Sequence, residues 1–158
     1  MLTKGFNHVA VLTGDMERLE EFYTSVFGAE VLRDGPEGPD DFKVRLAIIK
    51  VGPDSELNVF QIPGATDAVA HTPMFGRGPI DHLALEADSL EAFETIRDRL
   101  MARGAADDFV TDFGQGYSVF FRDPDGLECE VCVPNPDAKP GVFNPPGTRA
   151  ERYSAKRG

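Results

Sequence analysis

The segment RDPDGLECEV at residues 122–131 combines a tight-turn sequence with two carboxylates in apolar surroundings. A strand after the turn would place Glu128 and Glu130 on one face and the apolar residues between them on the other. A strand rarely carries an acid on a buried face unless that acid has a partner. The chain has only three histidines, and two of them, His8 and His82, occupy equivalent positions of an internal repeat. The chemistry to consider is therefore a cluster of imidazoles and a carboxylate.

The repeat relates the two halves of the chain. FNHVAVLTGD, from residue 6, and IDHLALEADS, from residue 80, both alternate apolar residues around a histidine and lead into a stretch with helical periodicity. We predict that Asp15 and Asp88 cap these helices and that Gly28 and Gly104 end them. Three strand candidates follow each helix, so the order βαβββ occurs twice. The predicted strands are 6–12, 29–34, 42–51, 56–62, 80–86, 106–112, 117–122 and 127–133.

This pattern predicts an α+β fold made of two βαβββ modules, residues 1–62 and 80–133. The segment 63–79 is rich in Gly and Pro and is predicted to link the modules. Residues 134–158 are rich in proline and lack periodicity, and we expect them to form an extended or disordered arm.

The two histidines share their strand faces with small residues. Ala10 and Ala84 leave room beside His8 and His82, while the Val and Leu faces suit coverage by the helices. Two modules related by a pseudo-twofold axis would bring the histidines together, and a carboxylate from the last strand would complete a facial triad for Fe(II) or a similar divalent ion. The alternative is that both are ordinary half-buried strand histidines.

Composition restricts the partners and the compartment. The formal net charge of −11 disfavours nucleic acid and anionic membranes as partners, since both need a basic surface. Cys129 and Cys132 would point to opposite faces of one strand, and two free thiols suit a reducing cytoplasm. The apolar run at the N-terminus is too short to predict a signal peptide or a membrane span. We therefore expect a cytoplasmic protein.

The chain resembles the vicinal oxygen chelate superfamily over about residues 5–133. This group includes glyoxalase I, methylmalonyl-CoA epimerase, the fosfomycin- and bleomycin-resistance proteins and the extradiol dioxygenases. The resemblance is carried by NHVAVLTGDMERLEEFYTSVFGAEV, DHLALEADSLEAFETIRDRLMARGA and FFRDPDGLECEV. It implies curled mixed sheets that enclose a metal-centred pocket, and a homodimer.

The resemblance also implies roles for individual residues. Its metal carboxylate is the fourth residue after the glycine of the DPDG turn, which is Glu130, whereas Glu128 would lie nearer the rim and be solvated. Where glyoxalase I carries a glutamate that binds metal and moves a proton, this chain has Asn58. An amide cannot abstract a proton, which argues against glyoxalase I activity. The epimerase has an amide ligand near this place, so Asn58 is either a ligand or an ordinary strand residue.

The extradiol dioxygenases match the set His8, His82 and Glu130. They also carry an acid–base histidine shortly before the second ligand strand, which implies a catalytic role for His71, although a solvent-exposed loop histidine is the alternative. The chain departs from them at Phe120, where those enzymes usually have a tyrosine that binds the substrate.

The functional expectation is a metal-dependent enzyme whose small substrate is chelated through vicinal oxygens, with an extradiol-type oxygenase using Fe(II) favoured. The alternatives are a lyase or isomerase with Mn, Ni, Co or Zn, and a metal-free ligand-binding resistance protein. Metal-free members commonly lack the two histidines and the glutamate. Residues that could line the substrate pocket are Asn58, Phe6, Phe60 and Phe120.

Overall fold

The structure is a computed structural model that describes residues 2, 5–39, 44–65, 80–106 and 109–137. Its element order is βαβββ followed by βαβββ, which confirms the predicted α+β architecture. His71, most of the predicted linker and residues 138–158 lie outside the described residues. The elements are β1 (His8–Leu12), α1 (Met16–Phe27), β2 (Glu30–Glu37), β3 (Val44–Gly52), β4 (Ser55–Gln61), β5 (Leu83–Glu86), α2 (Leu90–Ala102), β6 (Thr111–Asp112), β7 (Gly116–Arg122) and β8 (Glu128–Pro134).

The chain divides into two compact units, each with one open four-stranded sheet. The first unit comprises residues 1–71 and the turn 124–126, and the second comprises residues 72–123 and 127–158. The strand orders are β1-β4-β3-β2 and β5-β8-β7-β6. In each sheet the strand that carries the histidine segment pairs in parallel with the last strand of its module, and the remaining pairs are antiparallel. The two sheets therefore share one pairing pattern.

In the first unit, α1 covers one face of the sheet. The predicted cap at Asp15 is confirmed, because its side chain accepts a hydrogen bond from the Arg18 backbone N–H at 3.0 Å. Gly28 ends the helix in the left-handed region, with φ 68°. The helix buries one apolar stripe, and the burial of each large side chain in it contributes about 1.5–3 kcal/mol. The stripe consists of Met16, Leu19, Phe22, Tyr23 and Val26.

In the second unit, α2 begins one residue later than the predicted cap. Ser89, not Asp88, has the extended backbone of an N-cap, and its hydroxyl accepts a hydrogen bond from the Ala92 N–H at 3.1 Å. The prediction for Asp88 was wrong because a cap must reach the amides of the first turn, and only the adjacent Ser89 does so. Phe93 and Leu100 anchor the helix and are fully buried.

Several strands differ in length from their predictions. β1 and β5 begin at residues 8 and 83, and β6 forms only the two pairs Thr111↔Ser118 and Asp112↔Tyr117 instead of spanning 106–112. Strand length depends on how many residues find a partner on the neighbouring strand, which an apolar alternation alone does not reveal. No helix in the described ranges is long and apolar enough to span a membrane.

Candidate metal centre

Two of the three predicted metal ligands meet within the second unit. The Nε2 atom of His82 lies 3.2 Å from the Oε2 atom of Glu130. His82 immediately precedes β5, and Glu130 on the neighbouring strand β8 is directly opposite Ala84, two residues after His82. The side chains are 33% and 13% exposed, so the pair is only partly accessible to solvent.

The other oxygen of the Glu130 carboxylate is also occupied. Its Oε1 atom accepts a hydrogen bond from the hydroxyl of Ser118, which is 2% exposed on β7. Phe120 is directly opposite Glu130 in the β7–β8 ladder, and its ring meets the His82 ring edge to face with centroids 6.1 Å apart. The Glu130 carboxylate therefore contacts the Ser118 hydroxyl and the His82 imidazole, and Phe120 is its neighbour on the adjacent strand.

Each predicted histidine ligand is oriented by the residue just before it. The Nδ1 atom of His82 lies 3.0 Å from Oδ2 of Asp81, and Nδ1 of His8 lies 2.8 Å from Oδ1 of Asn7. Both partner atoms are acceptors, so a neutral ring that donates from Nδ1 to them would keep the Nε2 lone pair available to a metal ion. The sequences NH and DH thus contain an orienting device that the sequence analysis did not identify.

His8 is exposed on β1 in the first unit. β4 pairs with β1, and Asn58 on β4 lies opposite Ala10. In the second unit, Glu130 lies opposite Ala84 in the equivalent way. The Oδ1 atom of Asn58 is buried and has no hydrogen-bond partner among the described residues. Buried polar atoms in proteins nearly always bind a donor, an ion or a water molecule, so this oxygen is a candidate donor to an ion.

The donor set fits a divalent cation. Two lone-pair acceptors such as neutral Nε2 and a carboxylate oxygen repel each other at 3.2 Å unless a proton or a cation lies between them. Bonds of about 2.0–2.2 Å at roughly tetrahedral or octahedral angles would separate two donors by about 2.8–3.6 Å, and the observed separation of 3.2 Å lies within this range. Among the described residues, no group of three His, Cys, Asp or Glu side chains forms a complete site. The structure therefore shows a pair of donors, and His8 as a third ligand stays a prediction.

The prediction for Glu128 was wrong. This residue is 4% exposed and accepts a hydrogen bond from Nε of Arg122 at 2.9 Å, instead of being solvated at a rim. The register explains the difference, because Glu128 is directly opposite Arg122 in the β7–β8 ladder. A buried carboxylate of this kind is stabilised only by a partner that compensates its charge.

The two cysteines are free and differ in environment. Cys129 is buried in the core, whereas Cys132 is half-buried on the face that carries Glu130. Burial raises the pKa of the Cys132 thiol, and the charges of Glu130 and Glu86 raise it further. A raised pKa lowers the fraction of reactive thiolate, so the environment disfavours nucleophilic chemistry at Cys132.

The aromatic residues predicted to line a pocket differ in position. Phe120 contacts His82, as described above, and Phe60 is half-buried opposite Leu12. Phe6 precedes β1 and is 91% exposed. A cavity of about 270 Å³ in the first unit is lined by the loop 13–14, Arg45 and the segment 61–65, and none of the predicted site residues lines it.

The DPDG turn has a structural role that the sequence analysis missed. Asp125 is 4% exposed and belongs to the first unit, where its carboxylate accepts hydrogen bonds from the Thr13 hydroxyl, the Gly14 N–H and the Arg18 guanidinium. These donors flank the N-terminus of α1. The sequence offered no sign of this contact, because Thr13 and Asp125 are 112 residues apart.

Comparisons with known proteins define the class to which this fold and donor pair belong. Residues 5–131 match the family model described as Glyoxalase/Bleomycin resistance protein/Dioxygenase superfamily. The chain belongs to this superfamily. The lactoylglutathione lyase of Shigella flexneri is 31% identical over 142 residues, which cover 87% of this chain and 97% of the relative.

Solved structures support the same fold. The glyoxylase/bleomycin resistance protein/dioxygenase domain from a Frankia species superposes with a TM-score of 0.68 at 21% identity, covering 85% of this chain and 95% of that one. A fosfomycin resistance protein from Listeria monocytogenes, solved with Mn(II) and sulfate, superposes with a TM-score of 0.60 at 17% identity, covering 87% and 98%. At these identities the likeness extends to the fold alone.

Proposed function

We propose that this protein is a divalent-metal-dependent enzyme that binds a small substrate through two neighbouring oxygens. The proposed ligands are His8, His82 and Glu130. The observation that carries the proposal is the approach of His82 Nε2 to Glu130 Oε2 at 3.2 Å, with Nδ1 of the same ring held by Asp81. A divalent ion bound there would polarise the substrate oxygens and stabilise negative charge on them.

The residues of the second unit have separable tasks in this proposal. Asp81 holds the ring of His82 in the tautomer that offers Nε2. Glu130 compensates part of the ion's charge, and among His8, Asn58, His82 and Glu130 it is the residue with a carboxylate able to take a proton from bound substrate. Phe120 provides an apolar wall beside His82, which suits a substrate with an apolar part next to its two oxygens.

Lyase or isomerase chemistry is the first candidate reaction. The relative from Shigella flexneri is named lactoylglutathione lyase, and the alignment covers nearly all of its length. In such a reaction Glu130 would be the base. Asn58 would serve as a neutral donor to the ion or to the substrate, since an amide cannot move a proton.

Extradiol-type oxygenation with Fe(II) is the second candidate, and Asn58 is the observation that favours it. Asn58 in the first sheet is equivalent in position to Glu130 in the second. The proposed donor set therefore contains two histidines, His8 and His82, and Glu130 as its single carboxylate. That set leaves several positions of an iron ion open for substrate and O₂. His71 would be the acid–base group of this reaction, as the sequence analysis predicts.

Metal binding tests the proposal at its base. Wild-type protein, stripped of metal, should bind one equivalent of Mn(II), Co(II), Ni(II) or Zn(II) in calorimetry, and Fe(II) under anaerobic conditions. His82→Ala and Glu130→Gln should lose most of this binding. Glu86→Gln is the matched control, because Glu86 is an exposed carboxylate on β5 of the same sheet. Absence of binding in the wild type would overturn the proposal in favour of a metal-free ligand-binding protein.

Two assays on the loaded protein separate the reactions. Lyase activity is measured as the formation of lactoylglutathione in ultraviolet absorbance, and oxygenation as O₂ uptake with a panel of catechols after anaerobic Fe(II) loading. His71→Ala should slow oxygenation by about 10²–10⁴-fold without loss of metal if this residue is the acid–base group.

A further inference from the structure

We propose that Ser118 is a positioning residue that makes Glu130 a one-oxygen donor in the metal centre. This inference rests on the proposed function, since it concerns the same carboxylate. The site in the second unit would then include Ser118 on β7 in addition to His82, just before β5, and Glu130 on β8.

The register explains how the serine reaches the carboxylate. Phe120 is the residue directly opposite Glu130, and Ser118 is opposite Cys132, so Ser118 and Glu130 are diagonal neighbours on one face of the sheet. Diagonal neighbours are about 7–8 Å apart at the backbone, a distance that only a long side chain can bridge. His82 precedes Ala84, the residue opposite Glu130, by two positions, so His82 and Ser118 lie on opposite sides of Glu130 along its strand, and the long glutamate side chain contacts both.

The two oxygens of Glu130 are thereby given different tasks. Oε1 accepts the Ser118 hydroxyl, while Oε2 faces Nε2 of His82 at 3.2 Å. A glutamate without such a bond can rotate and bind a cation through both oxygens, which takes one more position of the coordination shell. The hydrogen bond from Ser118 keeps Oε1 out of the shell, so one position stays open for the second oxygen of the substrate.

Burial makes this hydrogen bond persistent. Ser118 is 2% exposed, and the Glu130 side chain is 13% exposed, so water competes poorly for either group. A hydrogen bond to an ionised acceptor is also stronger than a bond between neutral groups. Loss of the hydroxyl should therefore free the carboxylate to rotate.

The test compares variants that differ in the hydroxyl and little else. Ser118→Ala removes the hydroxyl. Ser118→Thr and Ser118→Val introduce side chains of nearly the same shape, of which only threonine carries a hydroxyl. Thr111→Val is the matched control. Thr111 lies opposite Ser118 on β6, is 3% exposed, and its hydroxyl has no partner among the described residues. Each metal-free variant is first checked by thermal unfolding, and Co(II) is then the probe in calorimetry and in visible absorption.

We expect Ser118→Ala and Ser118→Val to bind Co(II) about 10–100-fold more weakly, the typical effect of removing an outer partner of a metal ligand. The visible absorption bands of Co(II) bound to these variants should weaken, because binding through the second carboxylate oxygen of Glu130 would raise the coordination number of the ion. Ser118→Thr should keep the wild-type spectrum, and Thr111→Val should change neither quantity. If Ser118→Ala fails to fold, the comparison of Ser118→Thr with Ser118→Val at the same temperature decides.

Two different failures are distinguishable. If the wild type binds no Co(II), the proposed metal centre is wrong. If the wild type binds Co(II) and the variants without the hydroxyl match its affinity and its spectrum, the metal centre stands and the role of Ser118 is wrong.

Discussion

Asn58 and Glu130 occupy equivalent positions in their two sheets. Each lies opposite the alanine that comes two residues after the histidine of its own module, Ala10 for Asn58 and Ala84 for Glu130. The two positions differ in that an amide stands in the first unit and a carboxylate in the second. The residues before the histidines, Asn7 and Asp81, repeat that difference. The repeat has thus kept its geometry while the negative charge at these positions is concentrated in the second unit.

The side-chain oxygen of Asn58, which has no partner among the described residues, leads to a prediction about stability. Its buried Oδ1 accepts no hydrogen bond from any described residue, so a half-buried apolar side chain should be tolerated better. Asn58→Leu should raise the free energy of unfolding of the metal-free protein by about 1 kcal/mol in urea titrations. The contrasting variant is Asn135→Leu, which removes a hydrogen bond to the Gly114 carbonyl at 3.0 Å and should be destabilising. A loss of stability in Asn58→Leu would show that the amide has a partner in solution.

Glu20 should make the stability of the protein decrease as the pH rises from acid to neutral. Burial raises the pKa of this carboxyl, the charge of Asp34 raises it further, and its Oε1 has no partner among the described residues. Because the folded protein holds this proton more tightly than the unfolded chain, stability falls as the pH passes from the unfolded pKa to the folded one.

The measurement is a comparison of the wild type with Glu20→Gln in urea at several pH values. Glu20→Gln should be the more stable protein at pH 7, and the difference should shrink towards pH 4, where protonation of the glutamate removes its buried charge. Asp98→Asn, which neutralises an exposed carboxylate of α2, serves as the control and should show no such trend. An equal or lower stability of Glu20→Gln at pH 7 would contradict the burial argument.

Asp125 should be among the most sensitive polar residues of the first unit. Asp125→Ala removes the acceptor for a buried hydroxyl, a backbone N–H and a guanidinium, and should cost about 2–3 kcal/mol of unfolding free energy. Arg18→Met should cost about 1 kcal/mol or less, since the Arg18 side chain is 45% exposed and its charge is solvated. Similar losses in the two variants, measured by chemical denaturation, would show that the ion pair, and not the hydroxyl and N–H contacts, provides the stability.

The pair of Arg122 and Glu128 should respond asymmetrically to mutation. Arg122→Met removes the guanidinium that donates to a buried carboxylate and should cost about 2–3 kcal/mol. Glu128→Gln leaves a guanidinium that is 30% exposed and can reach water, so the loss should be about 1 kcal/mol. Chemical denaturation measures both. The reverse order would mean that Arg122 depends on Glu128 more than their exposures indicate.

We predict a homodimer in solution. Both sheets have open edges, at β1 and β2 in the first unit and at β5 and β6 in the second, and exposed edges are usually covered by pairing or association. Apolar side chains near these edges are exposed, with Phe6 at 91%, Ile80 at 76% and Leu32 at 48%. The interface should bury more than about 1,000 Å² in total. Light scattering after size-exclusion chromatography should give twice the chain mass, and a monomer over a wide concentration range would refute the dimer.

The order of the elements could be predicted from the sequence because local rules control it. Alternation with period two, the helical stripe of α1, the cap at Asp15 and the left-handed glycine at Gly28 each act within a few residues of chain. The repeat then showed that the same elements occur twice. The faces of the histidine strands and the position of Glu130 on the last strand followed from the same periodicity.

The partners of the polar residues were decided by the tertiary structure. Alternation places Glu128 and Glu130 on one face and cannot distinguish them, whereas the register with β7 gives Arg122 to the first and brings Ser118 to the second. Asp125 finds Thr13 across 112 residues, a contact that no local pattern encodes. A buried polar group is stabilised by whichever donor the packing brings within about 3 Å, and that depends on contacts between segments far apart in the chain.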